Sequence, residues 1–161
     1  MVPACVIYLL YGEDEFSLYE HLRSIKAQLG SNELVDANTT IFDGATVTLQ
    51  QLADASSVIP FLAEHRLIIV QGFFARFSPQ REQRHSSRRN RGRAQVTEEW
   101  SGLADMLIQV PTTTVLVFTD GPLRRENPLL QQAMSYAEVH RFPLLNGHDL
   151  SVWIRQRAGS T

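Results

Sequence analysis

Apolar positions along this chain follow two periods, one near two residues and one near 3.6, and they alternate. Five short apolar runs read as strands: "VIYLLYG" (6–12), "TTIFDG" (39–44), "RLIIVQGF" (66–73), "TTVLVFTD" (113–120) and "AEVHRF" (137–142). Five helical patterns accompany them. Leu18, Leu22, Ile25 and Leu29 form one stripe after the first run. "TLQQLADAS" opens with Thr48 and Gln51 at capping-box spacing and turns Leu49, Leu52 and Ala53 inward. Thr97 caps the next pattern, Glu98 and Glu99 occupy its first turn, and Trp100, Leu103, Ala104, Leu107 and Ile108 make its apolar face. Asn127-Pro128 reads as a cap followed by proline at the first helical position. The last pattern, "GHDLSVWIRQRA", spaces Leu150, Trp153, Ile154 and Arg157 on one face, with Trp153 in the core.

The third and fourth runs are apolar at nearly every position, so both faces of those strands must be covered. Strands that alternate with helices and are covered on both faces imply a three-layer α/β/α domain around a mainly parallel, five-stranded sheet. The 161 residues, 43% of them hydrophobic, suffice for one domain with a sizeable core. No apolar run approaches the ~20 residues of a membrane span. The single cysteine, Cys5, excludes an internal disulfide, fits a reducing cytoplasm and reads as a core hydrophobe of the first strand.

Charge changes the picture in one place. The net charge is only −2, yet residues 76–93 hold seven arginines against one glutamate, which leaves the remainder strongly acidic. This Ser- and Arg-rich stretch has no periodicity, and residues 76–94 are expected to form a poorly ordered loop. Arg81, Arg84, Arg88, Arg89, Arg91 and Arg93 are candidate contacts to a phosphate backbone, against the plainer reading of a solvated insertion. Phe77 alone is available there for base stacking.

Candidate chemistry is sparse. "YLLYGEDEFSL" places a glycine between a strand and a helix, where a phosphate-binding loop belongs. Such a loop needs G-x-x-x-x-G-K followed by Ser or Thr, because backbone N–H groups cradle the phosphates, lysine neutralises them and the hydroxyl holds Mg²⁺. Here Gly12 is followed by Glu13, Asp14 and Glu15, which repel phosphate. The third strand ends in "IIVQGFF" and lacks the acid of an ATPase, so nucleotide hydrolysis is disfavoured. His21, His65, His85, His140 and His148 show no metal-ligand spacing, and no metal or cofactor is expected. Asp43 and Asp120 end strands two and four; they read as a receiver-type acidic pair or, more plainly, as capping acids. "VIPFLAEHRL" (58–67) does not fit a plain core. Pro60 is expected to break the preceding helix, and Phe61 and Leu62 then either plug one end of the core or stand exposed as an anchor for a partner.

The order of these blocks resembles the N-terminal domain of the bacterial DNA polymerase III delta subunit, part of the sliding-clamp loader. "YLLYGEDEFSLYEHLRSIK" is similar to that family's opening strand and helix, and "FDGA", "PFLAEHRLIIVQGF" and "LADMLIQVPTTTVLVF" to its next blocks. "NPLLQQAMSYAEVHRFPLLNGHDLSVWIRQRA" resembles its last strand and the helix leading out of the domain. The resemblance implies an AAA+-type fold without a functional phosphate loop, a single N-terminal domain over 1–161 without the family's lid and collar, and a non-catalytic role inside a DNA polymerase holoenzyme. It also implies partners: the beta sliding clamp, the gamma/tau and delta-prime loader subunits, and primer–template DNA indirectly. In the family an apolar pair just before the third strand grips the clamp. Phe61 matches its aromatic position and Pro60 the aliphatic one, where proline departs from the usual leucine, so that Leu62 is expected to supply the aliphatic contact. The competing readings are a DNA-binding domain acting through the arginines and a nucleoside-triphosphatase.

Overall fold

The computed structural model describes residues 6–77, 100–123 and 128–144. Among these, five strands, β1 (Ile7–Gly12), β2 (Thr39–Asp43), β3 (Arg66–Gln71), β4 (Thr114–Asp120) and β5 (Glu138–Phe142), form one sheet in the order β2-β3-β4-β1-β5. Every pairing is parallel. The helices are α1 (Glu15–Leu29), α2 (Asn32–Ala37), α3 (Leu49–Ser56), α4 (Leu103–Gln109) and α5 (Pro128–Met134).

The strand order decides which face each helix covers. From β1 the chain jumps to the far edge at β2, then steps back through β3 and β4 and past β1 to β5. Crossovers between parallel strands are right-handed, so a connection running the opposite way covers the opposite face. Accordingly α1 and α2 lie on one face, where Leu18, Leu22, Ile25, Leu29 and Val35 bury Tyr8, Leu10, Ile69 and Val117. The other three connections supply the second face, where Leu52, Leu103, Leu107 and Leu130 pack on Leu9, Ile68, Val70 and Phe118. The three-layer expectation holds, and the stripe expected for α1 is buried at all four positions.

Two local expectations are corrected. The third strand stops at Gln71 instead of Phe73, because Gly72 takes a left-handed backbone (φ 76°) that turns the chain. Phe73 and Phe74 then fold back into the core, with Phe73 edge-on to Trp100 at 4.5 Å between ring centroids. The helix expected from Thr97 is, within the described residues, a 3₁₀ turn (Trp100–Gly102) followed by α4. Three residues per 3₁₀ turn set Trp100 in line with Leu103, and the α-helical stripe starts afresh there. The buried positions are therefore Leu103, Met106, Leu107 and Val110, while Ile108 is 61% exposed. Thr97, Leu150, Trp153, Ile154 and Arg157 lie outside the described residues.

The capping box of α3 forms as its spacing predicts. The Gln51 N–H donates to Thr48 Oγ1 at 3.1 Å, and the Thr48 N–H donates to Gln51 Oε1 at 3.0 Å. Leu49 and Ala53 are half-buried against the core that Leu52 enters fully.

Candidate functional sites at the two ends of the sheet

At the C-terminal ends of the strands, Gly12 leaves β1 at φ 145°, and a Cβ added there would collide with the Phe142 carbonyl. Only glycine lets β5 approach so closely. The next turn closes on itself. The Asp14 N–H donates to the Phe142 carbonyl at 2.9 Å, and the Asp14 carboxylate caps α1, accepting the Ser17 N–H at 3.1 Å and the Ser17 hydroxyl at 2.7 Å. A helix N-terminus favours an anion through its free N–H groups and its dipole. Here the chain's own carboxylate takes that place, with the exposed Glu13 and Glu15 on either side.

Beside this turn lies a cleft of about 160 Å³ lined by Glu15, Tyr19, Gln71, Thr119 and Asp120 among others. Both Asp120 oxygens accept backbone amides. Oδ2 accepts the Phe74 N–H at 3.0 Å and Oδ1 the Ala75 N–H at 3.2 Å, which caps the 3₁₀ helix Phe74–Phe77. Burial raises its pKa to about 6, against the lowering effect of those two bonds. Asp43 accepts the Ala45 N–H at 2.9 Å in a local turn. With β3 between their strands and each carboxylate turned to a backbone amide, Asp43 and Asp120 are capping acids and not a receiver-type pair.

The fold brings two of the histidines together, which their spacing in the sequence did not show. His21 of α1 and His140 of β5 stand 4.3 Å apart between ring centroids, with Phe142 next to them and Glu138 3.5 Å from His140 Nε2. Burial first, and then His140, holds the His21 imidazole below its ordinary pKa, with Glu138 acting the other way. Among the described residues no three His, Cys, Asp or Glu side chains are grouped so that they could hold a metal ion. His85 and His148 lie outside the described residues.

At the opposite end of the sheet, the connection from α3 to β3 carries a cluster of exposed apolar side chains. Ile59 is 84% exposed, Phe61 67% and Leu62 75%, with Val58 beside them, while Pro60 is half-buried. Pro60 does not end the helix as expected. α3 stops at Ser56, where the Ser56 and Ser57 hydroxyls donate back to the Leu52 and Ala53 carbonyls, bonds that compete with helix continuation. The Thr114 hydroxyl of β4 then donates to the Ser56 carbonyl at 2.8 Å and fixes the exit of the chain.

Two residues of this region escaped the sequence reading. Ile59 was missed because the resemblance pointed one residue later, although "VIPFL" as an apolar pentad outside any periodic element was a usable signal. Asn38, at the end of α2, had no signal at all. It is buried at 2% exposure, and its side chain accepts the Phe61 N–H at 2.6 Å and donates to the carbonyls of Phe61 at 2.8 Å and Leu34 at 2.9 Å. The backbone of Leu62 is left-handed (φ 54°), uncommon for a branched aliphatic residue.

The basic stretch begins later than residue 76. Arg76 belongs to the 3₁₀ helix, and its guanidinium donates to the Val47 carbonyl at 3.1 Å. Arg81, Arg84, Arg88, Arg89, Arg91 and Arg93 lie outside the described residues.

Comparison with known proteins agrees with this architecture. The family model described as "DNA polymerase III, delta subunit" matches residues 8–141. DNA polymerase III subunit delta of Bacillus subtilis is 32% identical over 65 residues, a match spanning 40% of this chain and 19% of the relative. Among solved structures, the Bacillus subtilis DNA clamp loader delta protein superposes with a TM-score of 0.65 at 22% identity, over 88% of this chain and 39% of its own. A gamma subunit-related DNA polymerase III protein from Thermotoga maritima gives 0.52 at 16% identity, over 88% of this chain and 42% of its own. At these identities the two structures establish the shared fold, and the chain spans well under half the length of each relative.

Proposed function

The chain belongs to the DNA polymerase III delta-subunit family, and on that premise we propose that it grips a ring-shaped sliding clamp through the exposed apolar loop before β3 and helps to open the ring for loading onto DNA. The observation that carries the proposal is the loop itself. Phe61 and Leu62 stand out from the N-terminal edge of the sheet on a connection whose backbone is tied to α2 and β4. Apolar side chains held in solvent mark interaction sites, and an aromatic anchor entering a pocket is the usual centre of a hot spot. Ile59 and Leu62, more exposed than Pro60, supply the aliphatic part of the contact.

Nucleotide chemistry has no part in this proposal, since the Asp14 carboxylate already caps the helix where a phosphate would bind. The other loader subunits and, through Arg81 to Arg93, the DNA backbone are further proposed partners of the longer assembly.

Replacement of Phe61 by alanine tests the reading. Affinity for the source organism's own clamp, measured by calorimetry or surface plasmon resonance, should fall by about 2 kcal/mol or more. The melting temperature should change far less than a core Phe→Ala change would cause, which is about 3–5 kcal/mol in stability. A variant that binds normally and unfolds early would assign Phe61 to the core and reject the proposal.

A further inference from the structure

We propose that Asn38 is the positioning residue of this apolar anchor: its carboxamide sets the backbone of Phe61 before any partner arrives. The inference rests on the clamp-gripping reading of the loop. A buried amide survives only where its polar atoms are paired, and each of those of Asn38 is used. Its Oδ1 accepts the Phe61 N–H, while the two hydrogens of Nδ2 go to the Phe61 and Leu34 carbonyls. Trading both bonds with one residue is what a neighbouring β-strand would offer Phe61. The main chain of Asn38 is itself fixed, since its carbonyl accepts the Leu67 N–H at 3.0 Å and its own N–H donates into the last turn of α2. The anchor therefore rides on the first residues of β3 and on α2 at once.

The left-handed Leu62 follows directly after the residue that Asn38 holds. A strained backbone persists where its surroundings over-determine it. The exposed side chains of Ile59, Phe61 and Leu62 contribute little to that constraint, so the order of the loop comes from backbone bonds and leaves the apolar surface free for a partner. A loop already fixed in its binding shape loses less conformational freedom on association.

The test uses the full chain with Asn38→Ala and Asn38→Asp, titrated with the source organism's sliding clamp, alongside amide hydrogen exchange. Asn38→Ala should weaken clamp binding roughly tenfold although every apolar contact residue is retained. Exchange at Phe61, whose N–H Asn38 accepts, should accelerate while the sheet amides stay protected. Asn38→Asp adds a pH signature. As a carboxylate it has no donor for the Phe61 carbonyl and should bind as poorly as the alanine variant; as the neutral acid it has both a donor and an acceptor, so the ratio of its affinity to wild type should recover on acidification. Unchanged affinity in Asn38→Ala, or weakened affinity with unchanged exchange at Phe61, overturns the positioning role. Should the alanine variant fail to fold, an affinity ratio of Asn38→Asp to wild type that stays flat across pH overturns it equally. Wild type that does not bind the clamp overturns the clamp reading itself, and exchange at Phe61 in the variants then decides whether Asn38 holds the loop.

Discussion

Replacing Asp120 by asparagine should reshape the pH dependence of stability, and the size of the effect follows from the burial of one carboxylate. Asp120 is 6% exposed and its pKa is raised from 3.8 to about 6. Between those values the folded state binds more protons than the unfolded state, so stability falls as pH rises through the window. The contribution is complete below 3.8 and lost above about 6. That gap corresponds to roughly 3 kcal/mol. Asparagine never ionises, so the slope should vanish. It keeps one oxygen for either the Phe74 or the Ala75 N–H and turns Nδ2 toward the other, which leaves one buried donor unpaired at a cost of about 1–3 kcal/mol. The variant should therefore be clearly less stable than wild type near pH 4 and equal to it or slightly more stable near pH 7.5. Urea denaturation of both proteins across this range gives the answer as a difference, in which the titration of His21 and of the surface groups cancels. A difference that stays constant with pH would show that Asp120 is ionised as readily as in the unfolded chain, and the assignment of its burial as dominant would be wrong.

Two further outcomes test the fold around the sites. Gly12→Ala sets a Cβ against the Phe142 carbonyl, so it should force β5 away and destabilise the domain by more than the ~1 kcal/mol of an ordinary glycine exchange, read as a lowered melting temperature. On α4, Leu107→Ala should cost about 2–5 kcal/mol, whereas Ile108→Ala should stay within about 0.5 kcal/mol, and equal losses would mean that the phase assigned to this helix is wrong.

The sheet was legible because its central strands are apolar without interruption, which only a doubly covered parallel sheet requires. The α1 stripe and the α3 capping box were equally plain, since both depend on spacings within a few residues. What could not be read depends on geometry that periodicity does not encode. The phase of α4 is reset by a 3₁₀ turn, so Ile108 moved to solvent while Met106 moved inside. β3 ends two residues early because Gly72 turns the chain and the Asp120 carboxylate, from another strand, receives the amides that follow. The apolar loop was visible as a break in pattern. The amide that fixes it lies 23 positions away in the chain, and no local signal marks a polar residue buried for such a purpose.

The position of β1 has a consequence for how the chain is made. This strand lies inside the sheet with a neighbour on each side, yet its partners arrive late: Ile7 pairs with Leu116, and Tyr8 with Glu138. A ribosome releases β2 and β3 long before either neighbour of β1 exists, so a strand with six buried residues waits without hydrogen-bond partners until β4 has been made. Contacts this distant in sequence make for slow folding and an interval of exposed apolar edge. Nascent chains halted before β4 should therefore be protease-sensitive and prone to capture by chaperones, and the domain should acquire its stability in one late step, when β4 slides between β3 and β1.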